Sequence, residues 1–123
     1  YAARGGQKSK AYKYAGSDNI DQVAWWEGNS DGKTHLVATK APNELGLYDM
    51  TGNVWEWCND FYANNYYINS PDTNPTGPDT GNGRVLRGGS YGVPAKECRS
   101  TNRNKGNPDS REPFLGFRLV HPQ

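Results

Sequence analysis

Pro71, Pro75 and Pro78 fall so close together that neither a helix nor a central strand can persist between Asn64 and Gly83. Gly92 to Phe114 reads as a second long loop. With 15 glycines and 8 prolines, about half of the chain carries no regular pattern. Backbone N–H and C=O groups in such loops still need partners wherever they are buried. The sequence therefore predicts a domain whose irregular backbone is held by internal hydrogen bonds or by metal ions rather than by long ladders.

A chain of 123 residues forms one domain at most. It can bury roughly two-thirds of its unfolded surface, but only 33% of its residues are hydrophobic. The core must be aromatic: four Trp, eight Tyr and three Phe supply it, each large ring burying on the order of 150–250 Å². The densest aromatic run is Leu45 to Tyr62, within which Val54 to Tyr62 reads as a buried strand at the centre of the core. Arg84 to Tyr91 reads as a strand containing the glycine pair Gly88-Gly89, Leu115 to Val120 alternates as a closing strand, and Thr34 to Val37 forms a short one. No amphipathic helix is expected between Ser17 and Asn43. Tyr1 to Gly6 reads as the end of a helix whose body lies upstream.

No run approaches the ~20 apolar residues of a membrane span, and none reads as a signal-peptide core. The formal net charge is +1, from 14 Lys and Arg against 13 Asp and Glu, with the arginines scattered. A nucleic-acid partner, which requires a basic stripe, is not expected. The chain opens at Tyr1 rather than at Met, which suggests a processed product or a piece of a longer protein, with any targeting signal upstream.

Four ordered motifs carry a resemblance: Tyr1-Ala2-Ala3-Arg4-Gly5-Gly6, then Gly46 to Trp57 with its Gly52-Asn53-Val54-Trp55-Glu56, then Arg84-Val85-Leu86-Arg87-Gly88-Gly89-Ser90-Tyr91, and Leu115-Gly116-Phe117-Arg118. Together they resemble the formylglycine-generating enzyme (sulfatase-modifying factor) family from end to end. The resemblance implies an α+β fold with little regular secondary structure, the family's variant of the C-type lectin-like fold. It also implies that residues 1–123 are the C-terminal portion of a single such domain, whose absent N-terminal portion would be one of its partners.

The founding enzymes oxidise a sulfatase cysteine to formylglycine with copper(I) held by two cysteines after the Gly-Gly-Ser motif, a pairing that suits soft thiolates. Here Val93 stands near the first of those positions and only Cys98 follows, so copper is not expected. Cys98 as a lone nucleophile is the remaining catalytic reading, and neither His35 nor His121 lies in a recognisable partner motif. The alternative for the cysteines is a Cys58–Cys98 disulfide, worth roughly 4 kcal/mol in the loop-entropy model. Such a bond favours an exported protein. The resemblance further implies structural calcium, bound by carbonyls of Thr51, Gly52 and Val54 with the Glu56 carboxylate, and a second site using Asn19 and Ile20 with an acidic residue such as Asp31. Against this stands a salt bridge from Glu56 to Arg103 or Arg118. Trp55 and Trp57 are expected in the core rather than on a sugar-stacking platform, and the arginines as internal ion-pair and carbonyl-bonding groups.

The segment from Cys98 to Phe114 resembles the variable region of retroelement-diversified proteins that share this fold, in which Asn codons mutate at adenines. Gly92, Val93, Pro94, Asn104, Asn107, Ser110, Pro113 and Phe114 are reachable that way, whereas Lys105 and Glu112 are not. The expected function is a non-catalytic module that binds a protein or glycan ligand through Tyr91, Gly92, Val93, Pro94, Asn102, Asn104, Lys105, Asn107, Ser110, Glu112 and Phe114. The alternatives are a formylglycine-generating oxidase and an accessory domain of a larger enzyme.

Overall fold

A computed structural model describes residues 1–120, so His121 lies outside the described residues. Four short strands form one mixed sheet in the order β3-β2-β1-β4. They are β1 (Trp55–Phe61), β2 (Arg84–Arg87), β3 (Asn104–Gly106) and β4 (Leu115–Gly116). β1 and β2 are where aromatic and branched residues sit between turn-forming ones, and they pair antiparallel with Trp57 opposite Leu86. The register shifts between Trp57 and Phe61, after which Phe61 pairs with Arg84. β3 adds antiparallel to β2, and β4 runs parallel to β1.

Several expectations are corrected. The closing strand stops after Gly116. Gly92 to Phe114 is not all loop, since it contains β3 and a 3₁₀ turn at Ala95–Cys98. Thr34 to Val37 is not a strand. Between Ser17 and Asn43 there is only a single helical turn, α1 (Ile20–Val23), capped by Asn19, whose Oδ1 accepts from the Asp21 N–H at 3.1 Å. One turn is too short to leave a 3.6-residue pattern. At the N-terminus two 3₁₀ turns, Ala2–Arg4 and Gly6–Lys8, meet at left-handed Gly5.

The core is not centred on β1. Its buried cluster is Tyr14, Ile20, Val23, Ala24 and Cys98, with Trp26, Val93 and Ala95 packed against it. β1 contributes only Trp55 as a buried residue, because the rest of the strand is half-buried or exposed. Trp57 lies across Gly106, where a Cβ would fall 2.4 Å from the ring.

Five buried polar residues, Ser30, Asn43, Thr51, Asn53 and Ser90, sit among these loops. Asn43 accepts the Leu45 and Leu47 N–H groups and donates to the Ala2 carbonyl. Ser30 donates to the Tyr91 carbonyl at 2.7 Å, and Thr51 accepts from the Ala15 N–H at 3.0 Å. Asn53 carries the most. Its Oδ1 accepts from the His35 N–H at 3.0 Å, and its Nδ2 donates to the His35 carbonyl at 3.1 Å. Its main chain donates to the Trp25 carbonyl and accepts from the Tyr91 N–H. The stretch read as strand Thr34–Val37 thus finds its partner in one side chain instead of a second strand. Gly52 beside it is left-handed at φ 77°, and a Cβ there would meet the Trp25 carbonyl oxygen at 2.4 Å, so only glycine fits.

Asn53→Ala strands the His35 N–H and carbonyl, and is expected to cost about 2–4 kcal/mol. Asn53→Asp keeps the acceptor but sets a buried carboxylate against the His35 carbonyl, and should cost at least as much. Urea unfolding of the two variants measures the order, and equal stability of Asn53→Ala and the parent would contradict this role.

Candidate functional site

The Gly88-Gly89 pair ends β2 with φ values of 93° and 79° and turns the chain over the core. Beneath it lies Cys98, which is fully buried. A Cβ at position 89 would stand 2.6 Å from the Cys98 Sγ and 2.9 Å from its Cα. Burial pushes the Cys98 thiol up to about 12, a hydrogen bond with the Ser90 backbone pulls the other way, and Glu97 adds to the rise. A buried thiol held protonated is a poor nucleophile at neutral pH. The position that would supply a second thiolate is Val93, packed against the core. The donor set does not fit copper(I).

Cys58 and Cys98 are both free thiols, so the expected disulfide is not formed. Cys98 belongs to the core under Gly89, whereas Cys58 is half-buried on β1 and lines a groove beside Arg87. Burial raises the Cys58 thiol as well, partly offset by the Arg87 guanidinium.

Glu56 is held by Arg118. Arg118 Nη2 donates to Oε1 at 2.6 Å and Nε donates to Oε2 at 2.8 Å, a bidentate ion pair. Nη2 also reaches the Tyr48 and Asp49 carbonyls. The carboxylate named for calcium is therefore engaged by a guanidinium. Thr51 has its hydroxyl bonded to Ala15, the Gly52 N–H donates to the Gly88 carbonyl, and Val54 is half-buried with its carbonyl facing Gly88. At the second expected site the Asn19 side chain caps α1, Ile20 is buried in the core and Asp31 is exposed. Among the described residues no three His, Cys, Asp or Glu side chains cluster as metal ligands. The Glu56 carboxylate is thus committed to Arg118 and the Asn19 side chain to the α1 cap.

The two expected display loops meet at the start of β1. The Tyr91 N–H donates to the Asn53 carbonyl and the Trp55 N–H donates to the Phe114 carbonyl, both at 2.8 Å. Gly92, Asn107, Glu112 and Phe114 are exposed, while Tyr91, Val93, Pro94, Asn102 and Ser110 are half-buried. Asn102 is tied down by Nδ2 donating to the Glu97 carbonyl at 2.9 Å. Asn104 and Lys105 do not join this surface. They lie in β3, across β2 and β1 from β4 and Phe114, roughly 14 Å away at the usual strand spacing.

The tryptophans form no open platform. Trp25 is stacked on His35 at 3.7 Å with Lys40 over its other face, and Trp26 donates from Nε1 to Asp21 at 2.8 Å. The arginines serve backbone carbonyls as expected. Arg84 reaches Asn59, Arg87 reaches Thr101 and Asn102, Arg99 reaches Lys96, and Arg103 reaches Asn64. Sequence reasoning missed that Arg103 lies over both the Tyr62 and Tyr67 rings at 4.6 Å. The only available signal, alternating Tyr and Asn in a loop, does not specify such pairing.

This small mixed sheet with long side-chain-pinned loops is a C-type lectin-like frame of the kind found in formylglycine-generating enzymes. The chain belongs to the family described as the sulfatase-modifying factor enzyme 1-like domain, whose model matches residues 1–123. It is 40% identical over 137 residues to the formylglycine-generating enzyme of Streptomyces coelicolor, covering 98% of this chain and 43% of that protein. It is 38% identical over 122 residues to the serine/threonine-protein kinase Pkn1 of Chlamydia trachomatis serovar L2, covering 97% of this chain and 19% of that protein. Among solved structures, Treponema denticola variable protein 1 superposes with a TM-score of 0.81 at 38% identity, over 95% of this chain and 42% of that one. CarF follows at 0.76 and 35% identity, over 99% and 43%. The chain thus spans less than half the length of each of these relatives.

The Cys98 environment predicts an alkaline weakness. The folded state holds this thiol protonated up to about 12, whereas unfolded chains lose the proton near 8.5. Its contribution is therefore complete below pH ~8.5 and is lost as pH rises toward 12, at up to about 1.4 kcal/mol per unit. Burial raises Tyr14 too, with the same sign at higher pH. Unfolding free energies at pH 7.5 and 10 should fall for the parent and fall less for Cys98→Ala. Parallel declines would place the thiol in water.

Proposed function

We propose that this chain is a non-catalytic binding module, a lectin-like frame that offers the Tyr91–Pro94 loop and the 107–114 loop to a protein or glycan ligand. The observation that carries this reading is the fate of the thiols: Val93 occupies the first position and Cys98 is fully buried. Two accessible thiolates are what copper-dependent oxidation of a sulfatase cysteine would require. The exposed residues Gly92, Asn107, Glu112 and Phe114 mix small, polar, charged and aromatic character at loop tips. The main chain of the two loops is tied to the frame at Tyr91 and Phe114, which bond to Asn53 and Trp55, so side chains at the tips can change without loss of the frame. Similarity to Treponema denticola variable protein 1 supports the further reading that these loop positions are diversified. Similarity to a fraction of the much longer Chlamydia kinase supports a module attached to other domains.

Replacing Gly92, Asn107, Glu112 and Phe114 together is expected to abolish binding to whatever the parent captures on glycan and protein arrays. Tm should stay within about 3 °C, because exposed positions cost little. Loss of Tm and binding together would assign these residues to the frame instead.

A further inference from the structure

At two steps of the chain an acidic or amide side chain precedes a glycine, Asp31–Gly32 and Asn82–Gly83. There the glycine nitrogen can attack the preceding side-chain carbonyl carbon, because glycine has no Cβ to crowd the approach. The fold treats the two steps differently. The Gly32 N–H donates to the Ser30 Oγ at 3.2 Å, within the network that also holds the Tyr91 carbonyl. Neither the Asn82 side chain nor the Gly83 N–H makes a hydrogen bond among the described residues. Other asparagines are restrained: Asn19, Asn43 and Asn53 commit their side chains to hydrogen bonds, while Asn74 and Asn107 precede proline, which has no N–H.

Asn82 is exposed, and Gly83 lies under the aliphatic chain of Lys105, where a Cβ would meet Cε at 2.6 Å. The Lys105 ammonium, one bond further on, stands beside an amide that must lose its proton to react, and a nearby positive charge favours that loss. The position is also structural. The long loop that leaves β1 at Asn64 returns to it here: a Cβ at Gly81 would stand 3.0 Å from the Phe61 Cβ, and the Tyr62 N–H donates to the Gly83 carbonyl at 2.8 Å. Asn82 is the residue between these two contacts.

We propose that Asn82–Gly83 is a self-modifying site, at which conversion of Asn82 to isoaspartate releases the returning end of this loop from β1. The Gly83 nitrogen, its proton passing to water, bonds to the Asn82 Cγ, and the side-chain nitrogen leaves as ammonia. The resulting succinimide takes up one water and opens at either carbonyl, giving isoaspartate or aspartate, with no change of oxidation state. Isoaspartate routes the main chain through its own side-chain carbon, so a backbone atom is added between two contacts set for an ordinary residue. It also brings a negative charge next to Arg84, whose guanidinium lies over the Phe61 ring and donates to the Asn59 carbonyl. That charge competes for the cation at this end of β1. The site is separate from the proposed display surface and does not depend on it.

Peptide mass mapping after incubation of the folded protein in mildly alkaline buffer should place the first deamidation at Asn82, with the product labelled by a protein isoaspartate methyltransferase. Asp31→Asn creates a second Asn-Gly step at an exposed, left-handed position that Asn tolerates. That step should stay intact in the folded protein and react at a rate similar to that of Asn82 in urea, because the fold holds the Gly32 N–H on Ser30. In the isoaspartate fraction the Tyr62 amide should exchange with deuterium faster than in fresh protein. Asn82→Gln, at an exposed position, should stop both effects. An Asn82 that stays intact, a folded Asp31→Asn step that reacts as fast as Asn82, or unchanged Tyr62 exchange in the isoaspartate fraction would each overturn the proposal.

Discussion

Everything in this fold depends on satisfying buried backbone where no strand is at hand. Four short strands cannot pair the main chain of a domain this irregular, and an unpaired buried N–H or C=O costs about 1–3 kcal/mol. Asn53 takes four such bonds, two through its side chain and two through its backbone, and so joins the Trp25, His35 and Tyr91 segments at one point. Asn43, Ser30 and Thr51 do the same at other junctions. Buried amides and hydroxyls thereby replace the ladder, and the arginines extend the device to carbonyls nearer the surface.

The chemistry of the site follows from the same constraint. The chain turns over the core at left-handed Gly88 and Gly89, and the space beneath Gly89 is filled by Cys98. A thiol that plugs the core is held protonated and closed to solvent. The frame also holds two loops by main-chain bonds at Asn53 and Trp55 while their tips face water.

Much of the sheet was legible in the sequence. β1 and β2 are bounded by turn residues and filled with aromatic and branched side chains, and their limits fell within one residue of the reading, except where Gly88 stops β2 four residues early. The Glu56–Arg118 pair was legible as one of two alternatives. What escaped was tertiary. Asn104–Gly106 has no β-forming residue and is a strand only because β2 offers an edge and Gly106 admits Trp57. Thr34 to Val37 has strand-like composition but its partner is an amide. The core assembled on one turn of helix and a lone cysteine, neither of which has a periodic signature. For the same reason the two cysteines invited a disulfide, although one fills the core and the other faces a groove.

The central claim is that loops, Asn53 junction and Cys98 form one cooperative unit closed around that thiol. Native-state thiol exchange measures it directly. Modification of Cys98 in increasing sub-denaturing urea should proceed only through global unfolding, with a free energy and urea dependence equal to those of the whole chain. Modification of Cys98 at a rate near that of half-buried Cys58, independent of urea, would contradict the account.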